Sequence, residues 1–253
     1  MTEELDSAVR TLTPVEGPFG PRRLRVFVPG AGDAAVRPLL LLLDGQNVFG
    51  DEGSFAGGWH AHVAAARQVR RRDATAPVIA ALDHGNERRF AEMSAWPVQG
   101  NAGEAGAFFG WVATAVLARL RDEAGVVLGS ERVFIGGSSM GGLGAMYAHF
   151  AEPQAFGGAL CMSPSFWVHN GAVLDWVAGR EAPRTSRIYL DCGVREGRGR
   201  MAALAARMAE RLGARGWGPD RLRWRLDPKG AHNERNWRRR LPAALRFLFP
   251  LPR

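Results

Sequence analysis

Short apolar runs alternate with longer segments of helical period along most of this chain. Residues 23–28 alternate polar and apolar side chains, the period of a strand with one covered face. Residues 38–43 are apolar throughout, as expected for a parallel strand covered on both faces. Further strands are predicted at 77–82, 132–135, 156–162, 187–191 and 222–226. Between them, apolar residues recur at helical spacing over 59–72, 104–123, from Ser139 onward, and at 173–177, 200–215 and 234–249. Repeated β–α units predict an α/β fold, with a mostly parallel central sheet, helices on both faces and an antiparallel N-terminal edge. No linker or composition break divides the pattern, so residues 1–253 read as one domain.

In such a sheet, ligands bind beyond the C-terminal ends of the strands. Polar and glycine residues gather at those ends: Asp44-Gly45-Gln46-Asn47, Asp83-His84-Gly85-Asn86, Gly137-Ser138-Ser139, Ser163-Pro164-Ser165, Asp191-Cys192-Gly193 and Lys229-Gly230-Ala231-His232-Asn233. The pattern therefore predicts a pocket before any single motif is considered.

Gly137-Ser138-Ser139-Met140-Gly141 stands between a predicted strand and a predicted helix. A G-x-S-x-G in that setting has the form of the nucleophile elbow of α/β-hydrolases. A serine nucleophile needs a base, an orienting acid and an oxyanion hole. Three of the six histidines follow Ser139: His149, His169 and His232. His149 lies about three turns along the same helix and cannot reach the hydroxyl. His169 falls in a loop after Trp167, whereas His232 follows the last strand and is the expected base. The acid is Glu196, which has reach past the Gly193 turn, or Asp191 at the strand end. The expected oxyanion donors are the backbone N–H groups of Met140 and Gln46. Asp44, His84, Arg88, Trp96, Phe166 and Trp167 are the candidate substrate contacts, because they lie in or beside the strand-end loops.

The net charge of +8 is almost entirely arginine, since Lys229 is the only lysine, and it is dispersed along the chain. Apart from 70–72 and 238–240 there is no basic cluster, and neither cluster is interleaved with aromatics, so a nucleic-acid partner is not expected. His60-x-His62 places two imidazoles on different sides of a helix, so no metal is expected, and no cofactor loop is recognisable. The first seventeen residues are polar and acidic, unlike a signal peptide, and no apolar run is long enough to span a bilayer. Two cysteines form no disulfide framework. The expectation is a cytoplasmic protein acting on a small molecule, without a membrane or nucleic-acid partner. The sequence is silent on oligomeric state.

Taken together, Leu42-Leu43-Asp44-Gly45-Gln46-Asn47-Val48-Phe49, Asp83-His84-Gly85, Gly136-Gly137-Ser138-Ser139-Met140-Gly141-Gly142, Met162-Ser163-Pro164-Ser165-Phe166-Trp167, Asp191-Cys192-Gly193 and Gly230-Ala231-His232-Asn233-Glu234 with Trp237 carry a resemblance. From about residue 38 onward the chain resembles the putative-esterase family of α/β-hydrolases, which includes enterochelin esterases, feruloyl esterases, S-formylglutathione hydrolase and mycolyltransferases. The resemblance implies an α/β-hydrolase fold and a serine hydrolase of carboxylic esters, with Ser139 as nucleophile and His232 as base. It places the acid on the segment after Gly193, which favours Glu196. Acyl transfer to an alcohol at the same site, and a non-catalytic binding protein on the hydrolase fold, are the alternatives it leaves.

Overall fold

A computed structural model describes residues 4–5, 8–30, 33–71 and 75–251. Eight strands form one sheet: β1 (Arg10–Thr11), β2 (Leu24–Phe27), β3 (Leu39–Leu43), β4 (Val78–Leu82), β5 (Val133–Ser138), β6 (Gly158–Met162), β7 (Arg187–Gly193) and β8 (Leu222–Asp227). Their order across the sheet is β1-β2-β4-β3-β5-β6-β7-β8. The pairs β1–β2 and β2–β4 are antiparallel, and every later pair is parallel. The predicted antiparallel N-terminal edge is therefore present.

The leucine run shows why the central strands are unbroken apolar sequences. Leu39, Leu41 and Leu43 face one core, and Leu40 and Leu42 face the other. The first core is closed by α3 (Ala105–Trp111), α4 (Leu117–Ala124), α5 (Met140–Ala151), α6 (Ala172–Ala178) and α7 (Arg200–Ala214). The second is closed by α1 (Ala61–Arg71) and α8 (Glu234–Leu248). The central strands β3, β4, β5 and β6 are buried along their whole length, whereas the edge strand β8 is half open to solvent.

Several boundaries differ from the sequence expectation for physical reasons. The predicted strand 132–135 continues through Gly136 and Gly137 to Ser138, because β6 pairs with all three. The predicted helix 104–123 is interrupted by a widened π turn at Val112–Val116, where two helical segments join. A short helix, α2 (Arg89–Glu92), stands between β4 and α3, where the sequence pattern predicts no helix. Arg72, expected to close the first helix, lies outside the described residues.

Candidate active site

The C-terminal ends of β3, β5, β6, β7 and β8 deliver the polar turns read from the sequence to one side of the sheet. At the end of β5 the chain turns sharply into α5, and Ser139 is the turning residue, with φ 56° and ψ −120°. This is a conformation that residues with a Cβ rarely adopt, and it is held by backbone bonds on both sides. Ser139 N–H donates to Met162 O at 3.0 Å, and Ser139 O accepts from Leu143 N–H at 3.1 Å and Ser165 N–H at 2.9 Å. The turn is tight enough that a Cβ on Gly137 would lie 2.7 Å from the carbonyl carbon of Gly141. Glycine at that place is a steric requirement.

His232 comes from the loop after β8, one residue before Asn233, whose side chain caps α8 by accepting from Asn236 N–H at 3.1 Å. The imidazole stands edge-on to the Trp237 ring, 5.0 Å between centroids. Glu196 comes from the turn after β7 and is buried, 1% exposed. The two loops cross at Gly193 and Gly230, where a Cβ on Gly193 would run into the Gly230 backbone and the Glu196 carboxylate. Backbone bonds seal the crossing: Val194 N–H donates to Asp227 O at 3.0 Å and Arg195 N–H to Gly230 O at 3.2 Å.

The outcome is a linear array. His232 Nε2 lies 2.9 Å from Ser139 Oγ, and His232 Nδ1 lies 2.8 Å from Glu196 Oε2. Burial raises the Glu196 pKa, but the hydrogen bonds from His232 and Ser163 and the charge of Arg240 outweigh it, so the carboxyl is held below its usual value. An ionised carboxylate only accepts, so His232 Nδ1 carries the proton and Nε2 is free to accept from Ser139. Asp191, the other carboxylate open at the sequence level, is fully buried within β7 and faces Arg240, with Arg240 Nε 3.5 Å from Asp191 Oδ2. The structure thus brings Glu196, and not Asp191, to the imidazole. His149 is buried in α5 with Nδ1 2.9 Å from Phe156 O, and burial lowers its pKa to about 4.

Met140 is the first residue of α5, where backbone N–H groups have no partner within the helix. The turn after β3 begins with Asp44 at φ 55°, and its first internal bond runs from Asn47 N–H to Asp44 O at 3.0 Å. The Gln46 N–H therefore precedes the first bonded amide of that turn.

A cavity of about 290 Å³ opens over Ser139 and His232 and is also lined by Asp44, Gln46, His84, Arg89 and Glu234. Arg89, on α2, forms a bidentate pair with Asp44 at 2.6 and 2.7 Å. His84 has a lowered pKa, chiefly through burial. An adjoining cavity of about 540 Å³ shares Gln46, Gly53 and His84 with the first, so the two form one elongated cleft. A larger concavity, about 840 Å³, lies on the β8 side between Arg223, Arg225 and Phe247, and neither Ser139 nor His232 lines it. Among the described residues no group of three or more His, Cys, Asp or Glu could hold a metal ion.

Of the candidate substrate contacts, Asp44 and His84 line the cavity over Ser139. Arg88 lines only the adjoining one, paired with Glu104 at 2.6 Å and lying over the Phe19 ring. The three aromatics lie elsewhere. Phe166 is fully buried in the core, Trp167 packs against the same core, and Trp96 sits edge-on to Tyr147 and Trp176. None of the three lines either cavity. Phe166 turns fully inward, whereas Trp96 and Trp167 remain half-buried at the edge of that core. Phe55, Glu234 and Trp237 also line the cavity and were not among the residues expected there from the sequence. Phe55 is 98% exposed in a glycine-rich segment without periodicity, which gave no signal.

Among known proteins, the chain is 29% identical over 182 residues to the iron(III) enterobactin esterase of Escherichia coli O6:H1, covering 69% of this chain and 42% of that relative. The chain thus spans less than half of that relative's length. The enterobactin esterase of Shigella flexneri, solved in the presence of enterobactin, superposes with a TM-score of 0.77 at 23% identity, over 95% of this chain and 58% of its own. A siderophore hydrolase from Aspergillus nidulans superposes with a TM-score of 0.70 at 20% identity, over 95% of this chain and 94% of its own. These two likenesses bear on the fold, an α/β sheet of the kind described above. The model of the esterase family, described as putative esterase, matches residues 20–248, and the chain belongs to that family.

Proposed function

We propose that this protein is a serine hydrolase of carboxylic esters, acting through an acyl-enzyme on Ser139. The observation that carries the reading is the array itself, Ser139 Oγ at 2.9 Å from His232 Nε2 and His232 Nδ1 at 2.8 Å from buried Glu196, built around a serine in a strained turn. In the proposed sequence His232 Nε2 takes the Ser139 proton as Oγ attacks the ester carbonyl carbon. The tetrahedral oxyanion sits at the N–H groups of Met140 and Gln46 and against the N-terminus of α5. It collapses with loss of the alcohol, which leaves with the proton from His232. Water, deprotonated by His232, then attacks the acyl-enzyme, and the acid is released with Ser139 reprotonated. Glu196 holds the imidazole tautomer and stabilises the imidazolium throughout.

The substrate class we favour is a multi-part ester of the siderophore type. The family match, the names of the relatives and the elongated cleft support this. Gln46 Oε1 and Asn47 Oδ1, buried without partners in residues that line the cavity, are acceptors suited to substrate N–H or O–H groups. We further infer that residues 1–253 work as one domain and that the protein acts in the cytoplasm, a reading supported by its two free thiols, Cys161 and Cys192. No helix among the described residues is long and apolar enough to cross a membrane. A panel of siderophore-like triesters, feruloyl esters, thioesters and short aryl esters, compared by kcat/KM, tests the class. The triesters should lead by at least about tenfold, the smallest margin worth reading as selectivity. A preference for thioesters or simple aryl esters would overturn the siderophore assignment.

A further inference from the structure

Behind Glu196 lies a buried polar group that the proposed reaction does not itself use. Ser163, at the end of β6, is fully buried with φ 45°, and its hydroxyl has three neighbours. Trp237 Nε1–H donates to Ser163 Oγ at 2.9 Å, Arg240 Nη2–H donates to it at 2.8 Å, and Ser163 Oγ–H donates to Glu196 Oε1 at 2.8 Å. Trp237 and Arg240 are three residues apart on α8 and so share a face of that helix. Both can only donate, and together they fill the two acceptor positions of a serine hydroxyl. The hydroxyl hydrogen is therefore committed to Glu196. Gly193 N–H also donates to Oε1, at 2.7 Å, and Arg240 Nη2 approaches it at 3.5 Å. Oε1 is thereby filled, and Oε2 alone faces His232.

We propose that Ser163 and Arg240 are positioning residues that lock the Glu196 carboxylate, ionised and in one orientation, against His232. The inference rests on the reading of Ser139, His232 and Glu196 as a catalytic array, and extends it to α8. The same helix opens immediately after His232 and closes back on the acid through Trp237 and Arg240, so base and acid are fixed by one element. The direction of each bond then follows in turn: Arg240 and Trp237 to Ser163, Ser163 to Glu196, His232 to Glu196, and Ser139 to His232. With its own hydrogen given to His232, Ser139 Oγ accepts from Ser165 Oγ–H, 3.2 Å away.

Other titratable groups face this cluster. Asp191 and Cys192 lie on β7, Asp227 at the end of β8, Glu234 on α8 beside the cavity, and Asp44 and Arg89 across it. Arg240 is the cation against the two buried carboxylates, Asp191 at 3.5 Å and Glu196 at 3.5 Å. Removing it, or the Ser163 hydroxyl, makes Glu196 more basic and favours the His232 imidazolium. The acid limb of the kcat/KM profile must then move to higher pH.

The test compares wild-type, Ser163→Ala, Arg240→Met and Arg240→Lys proteins on one ester, with active fractions counted by a fluorophosphonate. Expected are kcat losses of about tenfold for Ser163→Ala and about a hundredfold for Arg240→Met, with KM little changed and the acid limb displaced upward by up to about one pH unit. Arg240→Lys should recover part of both effects. In Ser163→Ala, which is the variant to rely on if Arg240→Met does not fold, the downfield proton resonance of His232 Nδ1–H should also shift. Folded Ser163→Ala protein with an unmoved limb and resonance would overturn the inference, whether or not its turnover fell. Absence of any fluorophosphonate label in the wild type would instead defeat the underlying catalytic reading.

Discussion

Ser139 and His232 are brought together by the turn at the end of β5 and by the loop that leads from β8 into the capped start of α8. Replacing Ser139 by Ala should lower ester turnover by about 10⁴- to 10⁶-fold while leaving the melting temperature within a degree or two. Circular dichroism alongside a kinetic assay checks both halves. Phe166 gives the contrasting case, a residue beside a strand end whose side chain lies in the core. Because it is fully buried, Phe166→Ala should cost about 3–5 kcal/mol in denaturant unfolding, rather than raise KM selectively. These residues show what was legible in the sequence. Ser139 and His232, which the structure sets 2.9 Å apart, could be paired in the sequence because each sits at a strand end in the chain order expected of a serine hydrolase. The choice between Glu196 and Asp191 could not be made from the residues alone, since both follow the same strand and only the Gly193–Gly230 crossing decides which one reaches the imidazole. The aromatics do not line the cavity over Ser139, because sequence position fixes where a side chain starts but not which way it turns.

At the level of elements, the crossing of the β7 and β8 loops sets the spacing between acid and base. Gly193→Ala should push the Glu196 turn away from Gly230, since the added methyl has no room against that backbone. A kcat loss of about a hundredfold with a much smaller change in KM is expected from a displacement near 1 Å. Equal losses in binding and turnover would contradict that. The strands themselves were legible because unbroken or alternating apolar runs report burial directly. The π turn at Val112–Val116 and the short helix Arg89–Glu92 were not, because segments of five and four residues are too short to show a period of their own. That short helix matters to the site, for it carries Arg89 to Asp44.

Across the whole molecule, the buried carboxyls make stability depend on pH in opposite senses. Glu196 has a folded pKa below its usual 4.5, so its contribution is present above that value and is lost as the pH falls through the folded one. Asp191, fully buried, is pushed up to about 7, so its ionisation opposes folding progressively as the pH rises from 3.8 to about 7. Asp191→Asn should therefore raise the melting temperature at pH 8 and have little effect near pH 4. A loss of stability at pH 8 would show that the Arg240–Asp191 pairing outweighs the burial of the charge. The fold class, the antiparallel edge and the family all agree with the sequence pattern, while the full lining of the cavity over Ser139, Phe55 above all, does not follow from it. The central claim remains the serine array, and the most direct measurement is mass spectrometric mapping of a fluorophosphonate adduct on the wild-type protein. One adduct per chain on Ser139, absent in Ser139→Ala and slowed by orders of magnitude in His232→Ala, is the predicted result. An adduct on another residue, or labelling of Ser139 at the same rate without His232, would contradict the account.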